Sequence, residues 1–379
     1  MRVLHIVDRW RRGGTERNVE YFVRSELARG REVSLALLGS GGTPDVPDSI
    51  AVHRFPRTRE LTNPFEIARA VIELRSLIER ESYDIVHTHK SKAGVVGRLA
   101  ARGRAHAIVH TAHMASFGAA AYGRFPSAAY LRAERRCAHF TDVIVTVGAE
   151  LRDTYLDARV GTPSQYALVR SPVALGAFFA VREWPEERRF AARAELGLPH
   201  GARLAVMVGL LEPRKRPRLV LRALAPLLDT GQVVLALAGE GPEEESVRTL
   251  AAELGVEHAV RLLGHVTDPA PLFAAADVIV HGSRAEGTPQ VLLQALAAGV
   301  PMVATEVEGL REVPAAPIRI VDRSGRGLAD AVRRQLADRP APVPVGALAA
   351  WTPASIDAQQ QELHDRVDRI VSARRTSVG

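Results

Sequence analysis

Short runs rich in β-branched residues alternate with longer amphipathic stretches along most of the chain. In the first half, residues 3–7, 33–38, 85–87, 108–110 and 143–147 read as strands. Residues 16–29, 64–81, 93–102, 127–138 and 149–157 carry the apolar spacing of helices. A charged, proline-bearing segment at 181–199 interrupts the pattern. It then restarts with strands at 204–208, 233–238, 260–263, 278–280 and 302–304. Strands alternating with helices imply a mostly parallel, doubly wound sheet, so each half is expected to be Rossmann-like α/β. The first domain is placed at 1–175 and the second at 176–350. Residues 340–345 form a proline-rich linker, and 351–375 read as a final helix within a closing segment that runs to 379. In such folds ligands sit beyond the carboxyl ends of the strands, here in the cleft between the halves.

Length supports two domains, because 379 residues exceed what one hydrophobic core usually spans. A content of 46% hydrophobic and 25% charged residues is that of an ordinary globular protein able to bury a core. Cys137 is the single cysteine, which excludes an internal disulfide or a cysteine-based metal cluster and suits a reducing compartment. The apolar run before Asp8 is too short for a signal-peptide core, and no run approaches the roughly 20 residues of a spanning helix. A cytoplasmic protein, soluble or peripheral on the inner face of the membrane, is expected. The net charge of +7 raises nucleic acid, anionic membrane and phosphorylated ligands as partners. Nucleic acid is set aside: no zinc-finger spacing, RNP-like segment or basic region with heptads is present, and aromatics are only 5%.

The candidate chemistry concentrates in residues 283–305, SRAEGTPQVLLQALAAGVPMVAT. Gly287 permits close backbone approach, and Pro289 suits a first helical turn, where its missing N–H costs nothing. The opening N–H groups around Thr288, Gln290 and Val291 can then receive a diphosphate or sugar hydroxyls. Glu286 stands just outside that turn, and Gln294 follows roughly 12 Å further along the helical rise. The same segment also reads as an ordinary αβ unit with a solvated acid. Gly13 and Gly14 follow the first strand and open a helix, as an anion-binding turn does, while Glu16 reads as an acid favoured by the helix N-terminus. His87, His89, His110 and His113 resemble a metal cluster on paper, but no acidic ligand signature accompanies them, and no metal is expected. Arg124, Arg132, Arg135 and Arg136, interleaved with Tyr122, Phe125, Tyr130 and Leu131, fit an anionic lipid surface or a solvated helix face equally.

In this order along the chain, MRVLHIVDRWRRGGTER, DIVHTHKSKAGVVGRLAAR, VHTAHMASFG, FTDVIVTVGAELRD, VGLLEPRKRP, LALAGEGPEEE, VRLLGHV and LFAAADVIVHGSRAEGTPQ resemble the segments of retaining glycosyltransferases of family 4. The resemblance covers nearly the whole chain and implies the GT-B fold, with the last helix crossing back to the first domain. It implies transfer of a sugar from a nucleoside-diphosphate-sugar to an acceptor held mainly by the first domain: a carbohydrate, a lipid-linked glycan or a small natural product. No bound metal or other cofactor is implied. His113 matches a position beside the transferred sugar. Lys215 matches the phosphate-binding lysine, and Glu286 the acid that holds sugar hydroxyls. Gly241 belongs to a turn near the donor, and Gly264, His265 and Val266 offer backbone groups to its base. Two positions depart from the pattern. Gln294 replaces the family's second acid, giving one acceptor oxygen where a carboxylate gives two. Leu210 stands where an arginine usually precedes the lysine, leaving Arg214 or Arg216 as the replacement phosphate contact. A phosphorylase or epimerase, or a sugar-nucleotide-binding module without turnover, is the alternative.

Overall fold

The computed structural model describes all residues except 11–13, 40–41, 56–62, 104–105, 118–123, 198–200, 315–316, 339 and 379. It divides into two compact units, Met1–Pro172 with Pro353–Gly379, and Val173–Thr352. The first is built on β1 (Arg2–Val7), β2 (Glu32–Leu37), β3 (Ala51–Arg54), β4 (Ile85–His89), β5 (Ala107–Ala112), β6 (Val143–Thr146) and β7 (Tyr166–Leu168), in the order β3-β2-β1-β4-β5-β6-β7. The second contains β8 (Arg203–Val208), β9 (Val233–Ala238), β10 (Val260–Gly264), β11 (Val278–His281), β12 (Met302–Thr305) and β13 (Ile318–Val321), in the order β10-β9-β8-β11-β12-β13. Each recorded strand pairing within both sheets is parallel. Each unit is thus doubly wound, with its strand order reversing between β1 and β4 or between β8 and β11.

Alternation along β1 explains why its sequence reads as a nearly continuous apolar run. Leu4 and Ile6 pack on one face with Leu74 and Leu77 of the helix Pro64–Glu81, whereas Val3 packs on the other with Phe22, Leu363 and Val367. The three strands absent from the expected set, β3, β7 and β13, lie at sheet edges and are only partly buried. A half-covered three- or four-residue strand carries little apolar signal. The helix Pro64–Glu81 has the bounds its spacing predicts. Asn63 Oδ1 accepts from Glu66 N at 2.8 Å, Pro64 opens the first turn, and Ser82 ends the helix with φ at 51°. Asn63→Ala should lower stability by about 1 kcal/mol in a denaturant melt, since it removes that cap; an unchanged midpoint would mean the cap contributes nothing.

Two expectations are corrected. The segment read as a charged interruption, 181–199, takes in the end of the helix Gly176–Arg182 and all of the helix Glu186–Glu195, held by Arg189 Nη2 on Arg182 O at 2.9 Å and Arg193 Nη1 on Asp277 Oδ2 at 2.9 Å. The final helix is Pro353–Val378, and Trp351 is buried in a preceding 3-10 turn, Val345–Trp351, within the second unit's core. Leu363, Val367 and Val371 of that helix are buried with β1, β4, β5 and β6 residues of the first unit. Arg374 adds bonds to Asp142 Oδ1 at 2.6 Å and Oδ2 at 2.9 Å. Deep in the first unit, Arg98 Nη2 meets Glu134 Oε2 at 2.7 Å with neither side chain accessible, and Ser116 Oγ donates to the other Glu134 oxygen at 3.0 Å.

Candidate functional site

In the second unit the loops leaving β8 and β11, on either side of the point where the strand order reverses, carry the charged residues. Lys215 Nζ donates to Glu286 Oε1 at 2.5 Å. Arg214 Nη1 lies 3.1 Å from Glu286 Oε2 and donates to Ala285 O at 2.8 Å, while its Nη2 donates to Glu212 Oε1 at 2.8 Å. Burial alone would raise the Glu286 carboxyl, but the charges of Lys215 and Arg214 outweigh it and hold the group well below the usual carboxylate range. His281 Nε2 is 3.6 Å from the same carboxylate. Burial pushes its imidazole down to about 4 despite Glu286, so it is neutral at pH 7.

The residues expected to bind phosphate and sugar separately are therefore bound to each other. A pairing across 71 residues leaves no local signal in the sequence. Arg216 is corrected as a phosphate contact. With φ at 56° and ψ at 50°, its guanidinium turns onto Gly282 O at 2.5 Å, Ser283 O at 3.0 Å and Thr305 Oγ1 at 2.9 Å, where it ties loops together. Arg214 is the arginine at the acidic centre. Leu210 is half-buried in the same loop.

The helix is Gln290–Ala298, and Pro289 is its cap residue rather than its first turn. Gln290 N donates to Thr288 O at 2.8 Å, which commits one opening N–H. Gly287 is buried, Thr288 is half-buried, and Gln294 lies buried on the helix. Gly241 has a packing explanation. A Cβ there would stand 2.4 Å from Leu211 O, so the turn requires glycine without any ligand. Val266 is half-buried against the apolar core of the unit.

In the first unit Gly13 lies outside the described residues, and Gly14 is exposed at the start of the helix Gly14–Ala28. Glu16 sits in the first turn, as expected, and also accepts from Lys90 Nζ at 2.5 Å. The same ammonium lies 3.3 Å from Asp8 Oδ1 and donates to Arg9 O at 3.0 Å. Of the basic helix residues, Arg132, Arg135 and Arg136 are exposed, while Tyr122 lies outside the described residues. No helix among the described residues is long and apolar enough to cross a membrane.

The histidines separate by strand face. His87 Nε2 is 2.7 Å from Thr111 Oγ1, whereas His110, the residue before Thr111, projects to the opposite face and meets Thr88 Oγ1 at 3.0 Å. Its place in the group is taken by His5, which the sequence hid inside the 3–7 strand run. His5, His87 and His89 bring ring nitrogens within 4.8 Å of one another. The rings of His87 and His89 are stacked, with centroids 4.3 Å apart and planes at 28°. Lone pairs of stacked rings run side by side rather than converging on one ion. His113, buried, places Nε2 3.3 Å from His89 Nδ1 and Nδ1 3.5 Å from Asn18 Nδ2. Burial and then the Lys90 charge push its imidazole down to about 3.

Two family models cover most of the chain. Glycosyl transferase 4-like domain matches residues 13–172 and Glycosyl transferases group 1 matches 188–343. D-inositol 3-phosphate glycosyltransferase of Streptomyces coelicolor is 34% identical over 255 residues, spanning 60% of this chain and 55% of that protein. The protein of the same name from Mycobacterium tuberculosis strain H37Ra is 35% identical over 253 residues, spanning 64% and 51%. The chain thus matches about half the length of these curated relatives. Among solved structures, Anabaena Alr3699/HepE in complex with UDP and glucose aligns with a TM-score of 0.75 at 19% identity, over 96% of this chain and 99% of that one. At that identity the likeness speaks to the fold, which is GT-B.

Proposed function

Since this chain belongs to the group 1 glycosyl transferases of the GT-B fold, we propose that it moves a sugar from a nucleoside-diphosphate-sugar to an acceptor hydroxyl with retention of configuration. The observation that carries the reading is the convergence of Lys215 and Arg214 on Glu286 where the second sheet reverses its order. Lys215 and Arg214 are balanced by Glu286 and Glu212, so a diphosphate beside the loop that opens the helix Gln290–Ala298 would compete with those carboxylates for the two cations. A donor diphosphate shares those cations with Glu286. As the glycosidic bond breaks, phosphate charge grows, and a fixed ammonium interacts with it more strongly than in the ground state. Glu286 then faces the sugar hydroxyls as an acceptor.

A double displacement would need a carboxylate nucleophile beneath the anomeric carbon. Glu286 is poorly suited to that role, because the cations that depress its basicity also weaken its nucleophilicity. Substitution on the same face, guided by the departing phosphate, requires no such group. Charge neutralisation comes from Lys215 and Arg214, so the reaction is proposed to be metal-independent. Activity should persist in a chelator, and loss restored by a divalent ion would count against the assignment.

A UDP-sugar is the first donor to test, by likeness to the Anabaena structure, and an inositol phosphate the first acceptor, by likeness to the curated relatives. Thermal-shift measurements with UDP-, GDP- and ADP-sugars test donor binding, because a ligand of the folded state raises its melting temperature by mass action. Donor hydrolysis without acceptor separates an enzyme from a binding module; Leu210 and Gln294 are the residues that favour the module. If Gln294 faces the ribose, Gln294→Glu should tighten the donor by about a few-fold. Charge-assisted bonds contribute about 1.5–3 kcal/mol against 0.5–1.5 for neutral ones, but desolvation and the diphosphate field offset much of the gain. Turnover should barely move, and a donor affinity equal to that of the parent protein would remove Gln294 from the ribose.

A further inference from the structure

In the second unit a groove of about 440 Å³ lies between the helix Pro217–Leu228 and the turn that leads from β13 into the helix Leu328–Asp338. Arg218, Leu219 and Arg222 line it from the helix, and Ser324, Gly325 and Arg326 from the turn. Its volume is within the roughly 300–1,000 Å³ of small-molecule sites. Arg218 and Arg222 stand four residues apart on one helix face, where like charges repel, and both are exposed, as is Arg326. Among the described residues neither Arg218 nor Arg222 makes a side-chain hydrogen bond or ion pair. No acid lines the groove. Asp322, at the start of the turn, accepts from Ser324 Oγ and, at 2.6 Å, from Ser324 N; those bonds, and after them the Arg326 charge, hold its carboxyl below the usual range. One engaged carboxylate therefore stands beside three guanidinium groups.

The two walls are fixed to each other. Gly325, with φ at 79°, packs so close to the helix that a Cβ there would stand 2.6 Å from Leu219 Cδ2. Gly325 N donates to Asp322 O at 3.0 Å, and Arg326 N to Ser324 Oγ at 3.3 Å. Arg216, immediately before the helix, donates to Arg323 O and ties the turn to the loop that carries Lys215.

We propose that this groove is a second anion site that takes a phosphoryl group, built without Lys215, Arg214 or Glu286. A guanidinium fork donates two parallel N–H bonds to phosphate oxygens, and three forks around one space suit a group with at least two negative charges. The groove has room for more than a phosphate, and Leu219 gives it an apolar floor, so the ligand is an organic phosphate: a soluble phosphorylated metabolite or the headgroup of an anionic lipid. The site requires neither donor nor acceptor and stands apart from the glycosyl-transfer reading.

Isothermal titration of the full-length protein with inorganic pyrophosphate, without donor or acceptor, tests the site. A saturable event below about 1 mM is expected, and it should persist in Lys215→Ala. In Arg222→Ala, Arg326→Ala it should weaken about tenfold or more, while the unliganded protein keeps its melting temperature because both side chains are exposed. Arg222→Lys, Arg326→Lys keeps the charge but loses the forks, and should bind several-fold more weakly than the parent protein. Cosedimentation separates the two sources. Binding to phosphatidylglycerol vesicles but not to phosphatidylcholine vesicles, lost in the alanine variant, supports a lipid headgroup. Binding to neither, alongside the pyrophosphate event, supports a soluble phosphate. The absence of saturation up to about 1 mM overturns the proposal. So does an event lost in Lys215→Ala but kept in the alanine variant, which would belong to the donor loop. Equal binding by the lysine variant also overturns it, because charge alone would then account for the attraction. The titrations do not depend on turnover, so failure of the glycosyl-transfer reading would leave their result standing.

Discussion

On acidification, the first unit should unfold near pH 5.5 while the second stays folded. Burial holds seven histidines of the first unit below their ordinary range: His53, which is half-buried, and six that are buried, His5, His87, His89, His110, His113 and His364. Above pH 6.5 these groups are neutral in folded and unfolded chains alike and cost nothing. As pH falls below 6.5 the unfolded chain takes up protons that the folded one refuses, so stability drops until the folded values, about 3 for His5 and about 4 for His364, are reached. Each such group contributes about 1.4 kcal/mol per pH unit, so the six buried ones remove about 8 kcal/mol by pH 5.5, which is of the order of a whole domain's stability. In the second unit only His281 is shifted this way among the described residues. Trp10 is buried in the first unit, so its fluorescence, read in a Trp184→Phe, Trp351→Phe background, reports that unit alone. A first unit intact at pH 4 would show that the imidazolium ions find partners after a local rearrangement.

Lys215→Ala should lower turnover about 10²- to 10³-fold, the usual effect of removing one preorganised group that stabilises transition-state charge. Donor affinity should fall much less, because phosphate charge is greatest as the bond breaks. Loss of Lys215 also strips one of the two cations from buried Glu286, so the two causes must be separated. In Lys215→Ala, Glu286→Gln the carboxylate that lost its partner is gone. If turnover stays well below that of Glu286→Gln alone, phosphate stabilisation is the cause. If it recovers, the defect lay in an unpaired Glu286. Turnover equal to that of the parent protein in Lys215→Ala would remove the lysine from the mechanism altogether.

Periodicity made the sheets legible because their central strands are covered on two faces, and a strand such as β1 has to be apolar on both. It failed at β3, β7 and β13, where edge position leaves half of each strand open. Lys215 and Glu286 stand out through the resemblance of their loop segments to the family's, which periodicity alone does not supply. What the loops do to each other was not legible. Arg216 and Lys215 are adjacent in sequence, yet one binds backbone carbonyls and the other a carboxylate; the left-handed backbone of Arg216 decides that and has no composition signal of its own. His5 was missed for a different reason. One polar residue inside an apolar run leaves the strand pattern intact, so periodicity gives it no weight.

The first unit is made of two stretches that synthesis separates by the whole of the second. Leu363, Val367 and Val371 cover one face of the first sheet, so while residues 173–352 are being made that face, with Val3, Ile85, Val109 and Val143, has no lid. At about 5–20 residues per second the wait is on the order of 10–40 s. The unit encoded second can finish folding first. A nascent chain in that interval presents a β-branched surface to solvent or to a chaperone, and a premature stop before Pro353 leaves it open permanently.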